Sequence, residues 1–259
     1  MSQPTPFLVA QITDTHLFAN PSQQMKGATT YETLQTVLER VKDFKPKPDI
    51  LLLTGDLSQD ETPESYHNLH ALVSPLAIPA YWIPGNHDRP SLMTEILDRE
   101  PIFPHKSFQQ GGWQFILLDS AVPGCVGGEL SEPTLEWLAQ QLENASDRPT
   151  LVSLHHQPFP VNSAWMDDLG LQNPGDFLAI LDRYSQVRLV IFGHIHQEFE
   201  RERKGIHYFG TPSTCVQFTP RHDEFAIDPV PPGFRLLALY PDGTWTTKVE
   251  RVDHAYALD

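Results

Sequence analysis

Short apolar runs rich in β-branched residues recur along the chain, each closed by a polar turn, at residues 7–12, 49–54, 80–83, 113–118, 150–154 and 187–192. Runs of this length, bounded by Gly, Pro, Asn or Asp, read as buried strands. Between them the apolar period changes. Tyr31, Leu34, Val37, Leu38 and Val41 fall on one helical face, as do Leu135, Leu138 and Leu142 in a segment opened by Ser131 with Pro133 in its first turn. Strands alternating with helices predict an α/β fold. Beyond Gly193 only strand-like pieces remain, at 198–203, 206–209, 234–239 and 246–251, separated by turns at Gly205, Gly210, Pro231-Pro232-Gly233 and Asp242-Gly243. That change predicts a second sheet assembled late in the chain. The 24 prolines form no linker tract and no repeat is present, so residues 1–259 are expected to make one domain, with loop-rich stretches at 158–173 and 218–232.

Charge narrows the choice of partners. With 33 acidic residues against 18 Lys and Arg, the net charge is −15, which argues against a surface built for DNA or RNA backbone. Mean hydropathy is −0.32, and no apolar run approaches the roughly 18 residues that span a bilayer. The start carries no cationic segment and reads as a first strand, so no membrane and a cytoplasmic location are expected. Cys125 and Cys215 belong to no Cys-x-x-Cys pair, which leaves neither a disulfide framework nor a thiolate zinc site.

Twelve histidines are unusual in so acidic a chain, and imidazole is the commonest metal ligand. Many of them lie just past the predicted strands, beside carboxylates: Asp14 and His16; Asp56 after Gly55; Asn86, His87 and Asp88 after Gly85; His155 and His156; His194 and His196 after Gly193. In open α/β sheets the carboxyl ends of strands converge on the ligand crevice. Carboxylate, imidazole and one amide oxygen suit Zn, Mn, Fe or Co better than Mg or Ca alone. About seven candidate ligands are too many for one open catalytic ion and fit two ions, which can clamp the attacking and leaving oxygens at phosphorus. A hydroxide bridging two such ions is a nucleophile at neutral pH, and the ions make the pocket locally cationic despite the acidic chain. Asp14/His16 and His194/His196 are each spaced i, i+2, which in extended backbone places both side chains on one side. Gly55, Gly85 and Gly193 allow sharp turns and close backbone approach.

Asp14-x-His16, Gly55-Asp56, Gly85-Asn86-His87-Asp88, His155 and Gly193-His194-x-His196 together resemble the motif set of the calcineurin-like metallophosphoesterases. The stretches 82–88, 155–160, 163–173 and 231–234 resemble, more narrowly, the bacterial class III 3′,5′-cyclic AMP phosphodiesterases of the CpdA/Icc type. The resemblance covers nearly the whole chain. It implies a four-layer αββα sandwich with two mixed central sheets and a dinuclear metal site at the strand carboxyl ends. It also implies that Asp14, His16 and His196 bind one metal, that Asn86, His155 and His194 bind the other, and that Asp56 bridges them. Iron and manganese are the expected metals, with zinc or cobalt as alternatives. Asn86, His87 and His196 would contact substrate. His87 would protonate the leaving alkoxide, with Asp88 either orienting it or buttressing the loop.

The implied reaction is hydrolysis of 3′,5′-cyclic AMP to AMP by attack of the metal-bridging hydroxide, in a monomer or homodimer that takes a small cyclic nucleotide and no nucleic acid. A broader phosphodiesterase or phosphomonoesterase, acting on 2′,3′-cyclic nucleotides or glycerophosphodiesters, is the enzymatic alternative. A catalytically silent scaffold would have lost ligands, and none is lost here. His155 and His156 are adjacent, so only one can face the site from an extended segment; His155 is the expected ligand and His156 the alternative. Trp165 and Met166 read as packing residues, with stacking on a nucleobase as the other option. His67, His70, His105, His207, His222 and His254 are assigned to surface or core, His207 near the rim of the site.

Overall fold

The structure, a computed structural model, describes residues 5–253; His254 lies outside them. All six early apolar runs form strands, at Phe7–Ile12, Ile50–Thr54, Ala80–Ile83, Trp113–Leu117, Thr150–Ser153 and Val187–Phe192. They divide three and three between two six-stranded sheets. The first sheet runs, in spatial order, Trp245–Arg251, Gly233–Leu239, Phe7–Ile12, Ile50–Thr54, Ala80–Ile83 and Ile102–Phe103. The second runs Phe199–Arg203, Ile206–Gly210, Val187–Phe192, Thr150–Ser153, Trp113–Leu117 and Ser107–Gln110. The centre of each is parallel; the second sheet carries an antiparallel strand at both edges and the first sheet two antiparallel strands at one end, its Ile102–Phe103 edge being parallel, so both sheets are mixed.

The late strands do not build a second sheet of their own, contrary to the expectation from their pattern. Ile206–Gly210 joins Val187–Phe192 in parallel, whereas Gly233–Leu239 pairs antiparallel with Phe7–Ile12 at the other end of the sequence. A strand's period tells which faces are buried and nothing about which open edge it joins.

That period explains the layers. Ala10, Ile12, Leu51 and Leu53 point outward against the helices Thr30–Asp43, Pro63–Val73 and Pro90–Leu97, while Val9, Ile50 and Leu52 point inward. In the second sheet Ile116, Val152, Val190 and Phe192 face the helices Glu132–Asn144 and Pro174–Leu181, while Phe115, Leu151, Leu189 and Ile191 face inward. Three apolar layers follow, and with them the expected αββα sandwich. The Ser131 side chain caps its helix by accepting from Thr134 N, with Pro133 in the first turn.

One polar patch interrupts the apolar seam between the sheets. Gln11 Nε2 donates to Thr54 Oγ1 at 2.9 Å and across the seam to Phe192 O at 3.1 Å. Thr211 Oγ1 donates to Gln11 Oε1 at 2.5 Å. Arg235, buried and lying over the Phe209 ring, donates to Thr211 Oγ1, Thr247 Oγ1 and Gly210 O. Burial pulls its guanidinium down to about 10, so it remains charged at neutral pH.

Leu52 is wholly buried between the sheets. Leu52→Ala should cost about 2–5 kcal/mol of folding free energy, read as a lower midpoint in urea denaturation; a loss under 1 kcal/mol on the same order-of-magnitude scale would mean that the seam is not close-packed.

Candidate metal centre

The predicted ligands come together at the carboxyl edges of both sheets. The turns after Phe7–Ile12, Ile50–Thr54 and Ala80–Ile83 supply Asp14, His16, Asp56 and Asn86 from the first sheet. Those after Thr150–Ser153 and Val187–Phe192 supply His155, His194 and His196 from the second. Donor atoms of Asp14, His16 and His196 lie within 4.8 Å of one another, and so do those of Asp14, Asp56 and His155.

The local backbone is not the extended form that the i, i+2 spacing suggested. Asp14, His16, Asp56, His194 and His196 all have φ between 44° and 68°, the left-handed region that costs a non-glycine residue about 1–2 kcal/mol. The side chains converge because the chain turns sharply at each of them. Asp14 N donates to Gly55 O at 2.9 Å, and His16 N donates to Asp56 O at 2.9 Å, so the first two turns brace each other. Gly55 has φ +97°, and a Cβ on it would overlap His155 Nδ1; a Cβ on Gly85 would overlap the Asp56 carboxylate. At both glycines a candidate ligand, His155 or Asp56, occupies the space a side chain would need.

Hydrogen bonds fix which imidazole nitrogen faces inward. His155 Nδ1 donates to Thr54 O at 2.8 Å and His196 Nδ1 donates to Val216 O at 2.7 Å. A carbonyl can only accept, so each Nδ1 carries the hydrogen and leaves Nε2 as the ligating side. His16 Nδ1 lies 2.7 Å from Gln59 Oε1, which sets the same tautomer. As a result His16 Nε2 and His196 Nε2 face each other at 3.1 Å, lone pair against lone pair whenever both rings are neutral, an arrangement that a shared cation relieves. His194 Nε2 and Asn86 Oδ1 are buried with no hydrogen-bond partner, and His155 Nε2 faces the Asp56 carboxylate at 3.3 Å. An orphaned buried polar atom costs about 1–3 kcal/mol. The donor set therefore fits metal ions on geometry as well as on chemistry.

His156 is different. Its Nδ1 accepts from Ser120 Oγ at 2.8 Å and its Nε2 donates to Val126 O at 3.0 Å. Neither nitrogen has a lone pair to offer, although the ring lies 4.7 Å from that of His194. The geometry favours His155 of the adjacent pair.

Protonation follows the same division. Burial pushes His16 down to about 4, against the pull of Asp56, and pushes His156 down to about 3. His194 is driven well below its usual value by burial and by the neighbouring His156 and His155. Burial would lower His155 too, but the Asp56 carboxylate, 3.3 Å from its Nε2, overrides that and holds it at about 9. Burial works to raise Asp14 and Asp56, yet the charge and hydrogen bonding of His196 and of His155 keep both below the usual carboxylate range.

His87 lies half-buried at the edge, its ring 5.2 Å from that of His16. Asp88 does not orient it. The Asp88 carboxylate accepts from Leu57 N, Ser58 N, Gly85 N and Tyr66 OH and so buttresses the loops; burial and the Asp56 charge push its pKa up to about 7. The group that reaches His87 is Gln59, which sequence reasoning missed. Its Oε1 faces His16 and its Nε2 faces His87 Nδ1 at 3.4 Å, and nothing about a glutamine three residues past Asp56 signals that role. His207 is not at the rim: it pairs in register with Leu189 and stacks edge-on against Trp245. Met166 is buried in the second outer layer, as expected of a packing residue.

Comparisons with known proteins agree with this picture. The family model described as calcineurin-like phosphoesterase matches residues 7–198. A 3′,5′-cyclic-nucleotide phosphodiesterase of Nostoc is 51% identical over 259 residues, covering 100% of this chain and 97% of the relative. The 3′,5′-cyclic adenosine monophosphate phosphodiesterase CpdA of Escherichia coli K12 is 41% identical over 245 residues, covering 94% and 89%. Among solved structures, a dimetal phosphatase from Danio rerio superposes with a TM-score of 0.68 at 16% identity, covering 91% of this chain and 93% of that one. A purple acid phosphatase from yellow lupin gives 0.66 at 14%, covering 96% and 52%.

Because His155 is protonated in the metal-free site at neutral pH, metal uptake must expel that proton. Titrating metal-free protein with Mn²⁺ in weak buffer at pH 7 should release about one proton from this group, and the release should shrink as the starting pH passes about 9. A release unchanged between pH 7 and pH 10 would contradict the His155–Asp56 pairing.

Proposed function

Since the chain belongs to the calcineurin-like phosphoesterase family, we propose that it is a metal-dependent phosphodiesterase that hydrolyses 3′,5′-cyclic AMP to AMP. The observation that carries the metal-dependent chemistry is the set of buried, inward-facing and unpaired donor atoms around Asp14 and Asp56. The substrate is supported by the names of the Nostoc and E. coli relatives, which align over nearly the whole chain. In this reading residues 1–259 form one catalytic domain. Among the described residues no helix is long and apolar enough to cross a membrane; with both cysteines free, we assign the chain to the cytoplasm.

Asp14, His16 and His196 would hold one ion, Asn86, His155 and His194 the other, and Asp56 would be shared between them. Oxygen and imidazole donors without thiolate suit manganese or iron. When bound, such a pair supplies Lewis acidity at the phosphoryl oxygens and an activated water nucleophile. The chain's own contribution is placement. Carbonyls of Thr54 and Val216 and the amide of Gln59 lock three imidazoles before any ligand arrives, so little reorganisation accompanies the reaction. Gln59 Nε2 lies 3.4 Å from His87 Nδ1 and positions the ring. From the edge of the centre the Nε2 of His87 would contact the phosphate and, from the imidazolium form, pass a proton to the ribose oxygen as the P–O bond breaks, leaving a neutral imidazole.

Two variants separate these roles. Asp56→Ala should lose both metals, read by metal analysis of the purified protein. His87→Ala should keep full metal content and lower kcat for 3′,5′-cyclic AMP by about 10²–10⁴-fold, with a much smaller loss on an aryl phosphodiester whose leaving group needs no acid. Equal losses on both substrates would remove the acid role from His87. A panel of kcat/KM values for 3′,5′-cyclic AMP, 2′,3′-cyclic AMP and bis(p-nitrophenyl) phosphate tests the substrate; turnover of the last two alone would refute the cyclic AMP assignment and leave the reaction class intact.

A further inference from the structure

An aromatic cluster begins at the metal centre and ends in solvent. The Phe218 ring stacks on the His196 imidazole, 4.0 Å between centroids and 6° from parallel. Trp165 and Phe225 each stand edge-on to Phe218 at 5.3 Å and to each other at 5.2 Å. Phe218 is nearly buried, whereas Phe225 is 44% exposed. The cluster is a built feature. Gln217–Phe218 pairs antiparallel with Ile227–Asp228, Phe218 N donates to His196 O at 3.2 Å, and Thr219 N donates to Ala226 O at 2.9 Å. This hairpin holds Phe225 beside its returning strand, one ring beyond the ring that touches a candidate ligand. Lys26 Nζ, from the neighbouring Gln24–Thr29 hairpin, lies over one face of the Phe225 ring, 5.2 Å from its centroid.

The donor cluster itself is polar and suits the phosphate end of a substrate. A cyclic nucleotide also carries a neutral, flat heteroaromatic ring, set off from its phosphate by one ribose, and a π-face beside the phosphate site is what such a ring needs. Resting on the cyclic-nucleotide reading above, we infer that Phe225, backed by Trp165 and Phe218, is the stacking platform for the nucleobase. Holding by stacking tolerates any base, so this platform adds affinity for nucleotides over base-less phosphates without by itself choosing adenine.

The test compares AMP with ribose 5-phosphate, its base-less counterpart, binding to Mn²⁺-loaded protein in a calorimeter. AMP should bind the native protein more tightly by about 5- to 150-fold, the range given by stacking one base on an aromatic side chain. Phe225→Ala should erase that gap and leave ribose 5-phosphate binding unchanged, while Phe225→Tyr should keep it. A gap that survives Phe225→Ala, an equal loss for both ligands, or no gap in the native protein would each overturn the platform. The hydrolytic reading is judged separately: a native protein that fails to turn over 3′,5′-cyclic AMP yet shows the gap and its loss in Phe225→Ala would refute that reading and retain the platform.

Discussion

The centre is shared between two sheets, and everything in it depends on keeping their carboxyl edges in register. Asp14, His16, Asp56 and Asn86 come from one sheet and His155, His194 and His196 from the other. Apolar packing of Leu52, Phe115, Leu189 and their neighbours holds the sheets together, but such packing is non-directional and would tolerate a slide. The Gln11–Thr211–Arg235 network is directional. It ties Phe7–Ile12 to Val187–Phe192 and to the end of Ile206–Gly210 directly beneath the ligand turns. A buried guanidinium with only neutral acceptors is expensive unless every partner is in place, so a shift of one sheet against the other would leave it stranded.

Above that clasp the chain accepts backbone strain. Five of the proposed ligands sit in the left-handed region without being glycine, and strain of this kind persists only where the surroundings over-determine it. Here the turns brace one another through Asp14 N–Gly55 O, His16 N–Asp56 O and the contact of His194 N with the Asp14 carboxylate at 3.1 Å. Lone pairs of His16 and His196 left facing each other, and buried donor atoms left unpaired, add to the tension. Such tension would be relieved by bound metal, and on the proposed function the stability of the protein is expected to be coupled to metal.

Much of this was legible before any coordinates. The six early strands and the clustering of Asp14, His16, Asp56, Asn86, His155, His194 and His196 follow from local signals: apolar runs, turns, and residues placed just past them. What escaped depends on contacts far apart in sequence. The partners of the late strands are set by which edge remains open, 199 residues separate Asp14 from Ser213, whose hydroxyl donates to the Asp14 carbonyl, and Gln59 earns its place only because His16 and His87 flank it. The i, i+2 argument reached the right residues through the wrong backbone, since sharp turns rather than extended chain aim the side chains. Of the two roles open to Asp88 in the sequence, orienting His87 or buttressing the loop, its hydrogen bonds match the second: it serves Leu57, Ser58, Gly85 and Tyr66. Adjacency in sequence is a poor guide to which group a buried carboxylate satisfies.

That carboxylate has a mechanical consequence. By accepting from backbone amides on both the turn that carries Asp56 and the turn that carries Asn86, Asp88 welds two loops of the first sheet into one rigid body. Motions that widen or narrow the centre cannot be divided between those loops. A displacement of the Asp56 turn must carry the Asn86 turn with it, because one carboxylate holds the amides of both.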